Sequence, residues 1–171
     1  MHISDLPVKA AVQCFQVVGN DLFAGSDSGI FRSTDDGFSW KPEVSGIPLN
    51  RKIRTLGYLG KIFVGTSQGL YSSSDGGSNW DLITNIDNLS LDQIQKLSVS
   101  HIICTLYGIF ALSSAGVLNS SDGGNQWSVV STTVVSDANP YSQGGLAAIG
   151  PVIFAADGNG FISSTSIDHP G

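Results

Sequence analysis

Charge is scarce in this chain. Only 13% of its 171 residues are Asp, Glu, Lys or Arg, about half the usual share for a globular protein. There are three arginines (Arg32, Arg51 and Arg54), one glutamate (Glu43) and three dispersed histidines (His2, His101 and His169). The net charge of −6 argues against a nucleic-acid groove, which needs a basic face. Two cysteines, Cys14 and Cys104, with no Cys-x-x-Cys spacing make no metal-binding pattern. No phosphate-cradling glycine loop stands between a strand and a helix, so no nucleotide cofactor is expected. No Ser-His-Asp constellation is discernible. No apolar run is long enough to span a bilayer. Residues 1–10 lack the apolar core of a secretory signal, which leaves the compartment open.

What the chain has instead is glycine, serine and a repeated octapeptide. There are 21 glycines, as hairpin-rich β structure requires. The octapeptide Ser-x-Asp-x-Gly-x-x-Trp, here called the box, occurs at Ser33–Trp40, Ser73–Trp80 and Ser120–Trp127. Asp accepts hydrogen bonds from backbone N–H groups just ahead, Ser does so more weakly, and Gly tolerates positive φ. Apolar runs flank each box, so each reads as a hairpin turn whose Trp opens the second strand and packs back over the turn. The Asp-x-Gly turns lack the alternating acidic ligands of a calcium loop.

The boxes mark a longer repeat. Trp40 and Trp80 are 40 residues apart, Trp80 and Trp127 are 47 apart, and periods of about 40–45 residues are those of four-stranded propeller blades. Leu22-Phe23-Ala24-Gly25 stands seven residues ahead of Gly29-Ile30-Phe31-Arg32. The relation recurs at Ile62/Gly69, Ile109/Gly116 and Ile153/Gly160. Four units result, at about 9–45, 50–85, 95–132 and 144–171, together one domain over 1–171. Their innermost strands are expected near Val12–Val18, Ile53–Tyr58, Leu97–Thr105 and Leu146–Ile149. In the fourth unit the box has decayed to Ser164-Thr165-Ser166-Ile167-Asp168. Ser4-Asp5-Leu6-Pro7 is similar to Ser45-Gly46-Ile47-Pro48, so residues 1–8 are expected to close the last blade, with Met1–Ser4 as its outer strand. Two long loops interrupt the pattern, Thr84–Lys96 and Ser131–Gly144, and Leu89, Ile94 and Leu97 could line a helical turn. The cysteines lie in inner strands of opposite units, where buried thiols rather than a disulfide are expected. Asn88-Leu89-Ser90 and Asn119-Ser120-Ser121 match the glycosylation acceptor pattern, which is weakly specific.

The box and the segment before it resemble the Asp-box, or BNR repeat, of sialidase-like β-propellers in the WD40/YVTN/BNR-like superfamily. The resemblance implies an all-β propeller, or partial propeller, of four blades, each a four-stranded antiparallel sheet. It implies a folding role, on the face away from the ligand, for Ser33, Asp35, Gly37, Trp40, Ser73, Asp75, Gly77, Trp80, Ser120, Asp122, Gly124 and Trp127. Relatives include photosystem II assembly factors, sorting receptors and cell-surface proteins, and many are exported. Sialidase chemistry needs an arginine triad and a Tyr–Glu pair, which three scattered arginines and one glutamate do not supply. Xyloglucanase-like propellers use two Asp across a cleft. Asp27 and Asp157 occupy equivalent turns here, and a hydrolytic pair needs a separation of about 5–10 Å.

The expected function is therefore non-catalytic, a binding or scaffolding propeller with a protein or glycan partner. Its ligand face, opposite the boxes, would carry Asp27, Arg51, Lys52, Gln68, Ser114, Tyr141, Asp157 and Asn159. Arg51, Lys52 and Arg54 cluster in the sequence, as a solvated rim often does. Two other readings stand beside it. One is a glycoside hydrolase or a fragment of one. The other is an incomplete propeller that closes its ring by oligomerisation, as a homodimer.

Overall fold

The computed structural model describes residues 11–43, 45–132 and 145–156, together with the backbone of a strand at 162–166. The chain forms four consecutive antiparallel sheets. The first consists of β1 (Val12–Val18), β2 (Asp21–Ser26), β3 (Gly29–Ser33) and β4 (Lys41–Glu43). The second consists of β5 (Ile53–Leu59), β6 (Lys61–Thr66), β7 (Leu70–Ser73) and β8 (Asp81–Leu82). Helix α1 (Leu91–Gln95) leads into the third, β9 (Val99–Thr105), β10 (Gly108–Ser113), β11 (Gly116–Ser120) and β12 (Ser128–Ser131). The fourth has β13 (Gly145–Ile149), β14 (Val152–Ala156) and β15 (Ile162–Ser166). In each sheet the strands lie side by side in chain order. The outer strand expected from Met1–Ser4 and the loop over 133–144 lie outside the described residues. The four inner strands fall where the repeat places them, and the arrangement is that of propeller blades.

Buried positions explain why the second strand of each unit reads as a continuous apolar run. In β6, Ile62, Phe63 and Val64 are all buried, because both faces of the blade are covered by neighbours. Three apolar clusters hold the described blades together. Phe23 and Ile30 of the first blade meet Ile53, Leu56, Ile62, Val64, Tyr71 and Trp80 of the second. Phe63 and Leu70 meet Val99, Ile102, Ile109, Leu118 and Trp127 of the third, roofed by Ile86, Ile94 and Leu97. Phe110, Leu112 and Val117 meet Ile153 and Ala155 of the fourth.

Helix α1 is the expected turn in the Thr84–Lys96 loop. Ser90 caps it, accepting from the Gln93 N–H while the Gln93 side chain accepts from the Ser90 N–H, a reciprocal cap that satisfies two orphan donors. Five residues cannot hold a helix by propensity. Ile94 and Leu97, buried beside the half-buried Leu89, anchor it.

The boxes are the turns between third and fourth strands. In the first, Ser33 Oγ donates to Asp35 Oδ1 (2.8 Å) and accepts from the Gly37 N–H (2.9 Å), while Asp35 accepts from the Ser39 N–H (2.8 Å). Ser73–Asp75–Gly77 and Ser120–Asp122–Gly124 repeat the first two bonds within 0.1 Å. The glycines have φ of 86°, 90° and 87°. The tryptophans differ from expectation in two respects. Each precedes the fourth strand by one residue rather than opening it. Trp80 and Trp127 are buried, but Trp40 is only half-buried and lies 6.2 Å from Phe15.

A glycine–phenylalanine lock joins successive blades. A methyl on Gly77 would stand 2.6 Å from Phe23 Cε1 of the preceding blade, and one on Gly124 would stand 2.4 Å from Phe63 Cε1. Phe63 also meets Trp127 edge-on at 5.9 Å. The box glycine is thus small because the preceding blade's phenylalanine occupies the space beside it. Backbone bonds reinforce the lock: the Trp80 N–H donates to Ser45 O, and the Trp127 N–H donates to Asn85 O.

Candidate ligand-binding face

Strand direction decides which residues share a face. Val12 pairs with Ser26, Ile53 with Thr66 and Val99 with Ser113. Each inner-strand start therefore sits beside a turn between second and third strands, at the end of the blade opposite the boxes. A latch recurs there. The Asp27 N–H donates to Ala11 O and the Ala11 N–H donates to Asp27 Oδ1 (3.1 Å). Ser67 latches Lys52 and Ser114 latches Ser98 in the same two-bond manner.

Asp27 is thus the structural counterpart of Ser67 and Ser114. Its carboxylate already holds the start of β1. Ser114 and Gln68 are exposed on this face, and the Gln68 N–H donates to Thr66 Oγ1 at 3.0 Å. Tyr141, Asp157 and Asn159 lie outside the described residues, so the Asp27–Asp157 separation is not part of the geometry.

Arg51, Lys52 and Arg54 form a cationic ridge at the entry to β5. The β5–β6 register shifts between Ile53 and Thr55, so Arg54 falls in a bulge, outside the ladder. Arg54 was not among the residues expected on this face, and the register shift at its position has no signature in the residue pattern. Its pKa is lowered by burial. Arg51 Nε and Nη1 are buried and have no hydrogen-bond partner. None of the ion pairs among the described residues involves the three cations. A buried guanidinium edge without an acceptor is costly.

Among the described residues, two cavities bear on the site. One of about 290 Å³ lies on the ligand side, between Leu89, Asp92, Gln93, Lys96 and Leu97 near helix α1 and the Ser114–Ala115 turn. Its charges are spent, since Lys96 Nζ pairs with Asp92 at 2.8 Å. The other, about 280 Å³, lies on the first blade among Arg32, Thr34, Ser39, Lys41 and Glu43. There Arg32 pairs with Asp21 and Glu43 and lies 5.6 Å from the Phe23 ring centre. Arg32 is therefore structural.

Among the described residues no three His, Cys, Asp or Glu side chains come together as a metal site. Neither cysteine is in a disulfide, and burial raises both thiols to about 11. Asn119 is buried with Nδ2 donating to Ile109 O, so the folded chain does not offer it for glycosylation. No helix among the described residues is long and apolar enough to cross a membrane.

No protein-family model matches the chain, and no curated protein matches it in sequence. Solved structures do match. An ancestral GH74 enzyme aligns with 85% of the chain at 21% identity and a TM-score of 0.65, with the chain covering 22% of that enzyme. YCF48 bound to D1 peptide aligns with 88% at 13% identity and a TM-score of 0.61, with the chain covering 52% of it. The computationally designed Ika4 protein aligns with 98% at 11% identity and a TM-score of 0.65, over 99% of its own length. The fold is a β-propeller or a section of one. The chain spans about a fifth of the GH74 enzyme and about half of YCF48.

Proposed function

We propose that this chain is a non-catalytic binding propeller of the Asp-box kind, one domain over 1–171, whose ligand face takes an acidic protein segment. The observation that carries this reading is the cluster of Arg51, Lys52 and Arg54, without carboxylate partners among the described residues, with Arg51 Nε and Nη1 buried and unpaired. Arg presents a planar fork that carboxylates fit in bidentate fashion. The net charge of −6 repels an acidic partner elsewhere on the surface, so binding depends on this ridge and is steered toward it. The likeness to YCF48, solved with a peptide bound, supports a peptide as the partner class. A glycan partner would need an exposed aromatic platform, and Tyr141 is the one aromatic expected on this face.

Fluorescence anisotropy of a labelled oligoglutamate peptide tests the reading. Binding should exceed that of an uncharged peptide of equal length and weaken as salt rises. In Arg51→Ala it should weaken by roughly 10-fold or more, since a hydrogen bond to a charged group is worth about 1.5–3 kcal/mol. Equal binding of the acidic and uncharged peptides would refute it.

The second reading, a portion of a glycoside hydrolase, is supported by the likeness to a GH74 enzyme. It requires Asp27 and Asp157 to act as a pair, although the Asp27 carboxylate is held by the Ala11 N–H. Reducing-sugar release from xyloglucan that disappears in Asp157→Asn would establish it in place of the first.

A further inference from the structure

Among the described residues, the lock between blades lacks a partner on the first blade and on the fourth. Phe23, Phe63 and Phe110, one from each of the first three blades, are all 0% exposed. Phe23 and Phe63 pack against the box glycine of the next blade. Phe154 holds the same place in the fourth blade but is only half-buried. It pairs across the sheet with exposed Ala147, and beside them Ile149 is 73% exposed. The opposite face of that blade, with Ile153 and Ala155, is already packed on the third.

The first blade shows the complementary vacancy. Among the described residues, a methyl on Gly37 would meet only Trp40 Cζ2, at 3.8 Å, with no phenylalanine of the described blades beside it. Trp40 is half-buried where Trp80 and Trp127 are buried. Phe15 and Val17 on the same side of β1 are 60% and 59% exposed. So, among the described residues, the first blade offers a box socket without its phenylalanine, and the fourth offers the phenylalanine that fills such sockets.

We infer that two copies of this chain close one ring, the fourth blade of each packing on the first blade of the other, with Phe154 seated against Gly37 and Trp40 of the partner copy. The occupant is a second copy because the matching half of the lock lies on this chain and is not placed in the chain's own socket. A two-fold axis makes both seams at once and leaves neither apolar face open. This inference rests on the fold, not on the acidic-segment reading, and particle mass is independent of whether Arg51 binds a peptide.

The test is solution mass by light scattering across a dilution series. Wild type should weigh twice the 17.9 kDa of one chain. Phe15→Glu with Val17→Glu spoils the first-blade face, and Ile149→Glu spoils the fourth-blade face. All three side chains are more than half exposed in the single chain, so each variant should fold, as far-UV circular dichroism will verify. Each alone should raise the dissociation constant at least ~100-fold, because a carboxylate would be buried without a partner. An equimolar mixture should associate more tightly than either variant alone, since it contains one seam with both faces intact. A wild-type mass of one chain at every concentration, any mass other than two chains, a double mass indifferent to both variants, or a mixture no tighter than its parts would overturn the inference.

Discussion

Replacing Gly124 by alanine puts the lock between blades to a quantitative test. Gly124 has φ +87°, and the new methyl would stand 2.4 and 2.5 Å from Cε1 and Cζ of Phe63. Two costs are separable. The left-handed backbone costs an alanine roughly 1–2 kcal/mol. Overpacking a filled core adds about 1–3 kcal/mol, because Phe63 is fully buried and braced edge-on by Trp127, with nowhere to retreat. The sum is about 2–5 kcal/mol, a large part of a domain's stability. Gly123 is the control. Its φ is +74°, but nothing lies within 4 Å of an added methyl, so Gly123→Ala carries the backbone cost alone, roughly 1–2 kcal/mol. Urea denaturation with linear extrapolation measures both. Adding Phe63→Leu to Gly124→Ala should return part of the loss, which a double-mutant cycle reads as coupling. Equal destabilisation by the two alanines, with no coupling to position 63, would refute the claim that the box glycine is small to admit the neighbouring phenylalanine.

Three further outcomes are expected. Hydrogen bonds from the Ser39 and Asn79 side chains are the largest causes that lower Asp35 and Asp75 to about 2, and the Gln126 N–H is the largest cause that lowers Asp122. A carboxylate depressed on folding stabilises above its unfolded pKa, and that stability is lost as pH falls through the folded pKa. The denaturation midpoint should thus decline from about pH 4 toward pH 2, and less steeply in Asp75→Asn. Burial holds the Cys14 and Cys104 thiols at about 11, so iodoacetamide should label neither at pH 7.5 until urea unfolds the chain; rapid labelling of the native protein would contradict their placement. Ser90→Ala, which strips the α1 cap, should cost about 1 kcal/mol, measured by the same urea titration.

The blade was legible in the chain because its signals are local. A turn of Ser, Asp and Gly lies within a few residues, and the apolar run of a twice-covered strand is continuous. The inner strands at Val12–Val18 and Ile53–Leu59 followed from that repeat. The lock was not legible, for a physical reason. Phe23 and Phe63 each recur 14 residues ahead of a box glycine in their own unit, yet they pack on the glycine of the next one, and a repeat is silent on which copy meets which. The difference between Trp40 and its two counterparts has the same origin, since burial there depends on a neighbouring blade and not on the box. On the ligand face, Arg51 and Lys52 were readable as charge. Arg54 sits at a register shift that the pattern did not signal, and Asp27 proved to be a latch whose equivalents, Ser67 and Ser114, share its geometry but not its chemistry.

Small-angle X-ray scattering from the wild-type protein tests the central claim, that this chain is an arc of propeller made whole by its own copy. Forward scattering should give twice the 17.9 kDa chain mass, and the distance distribution should be that of a compact disc. A mass of one chain, with the profile of an open arc at every concentration, would contradict it.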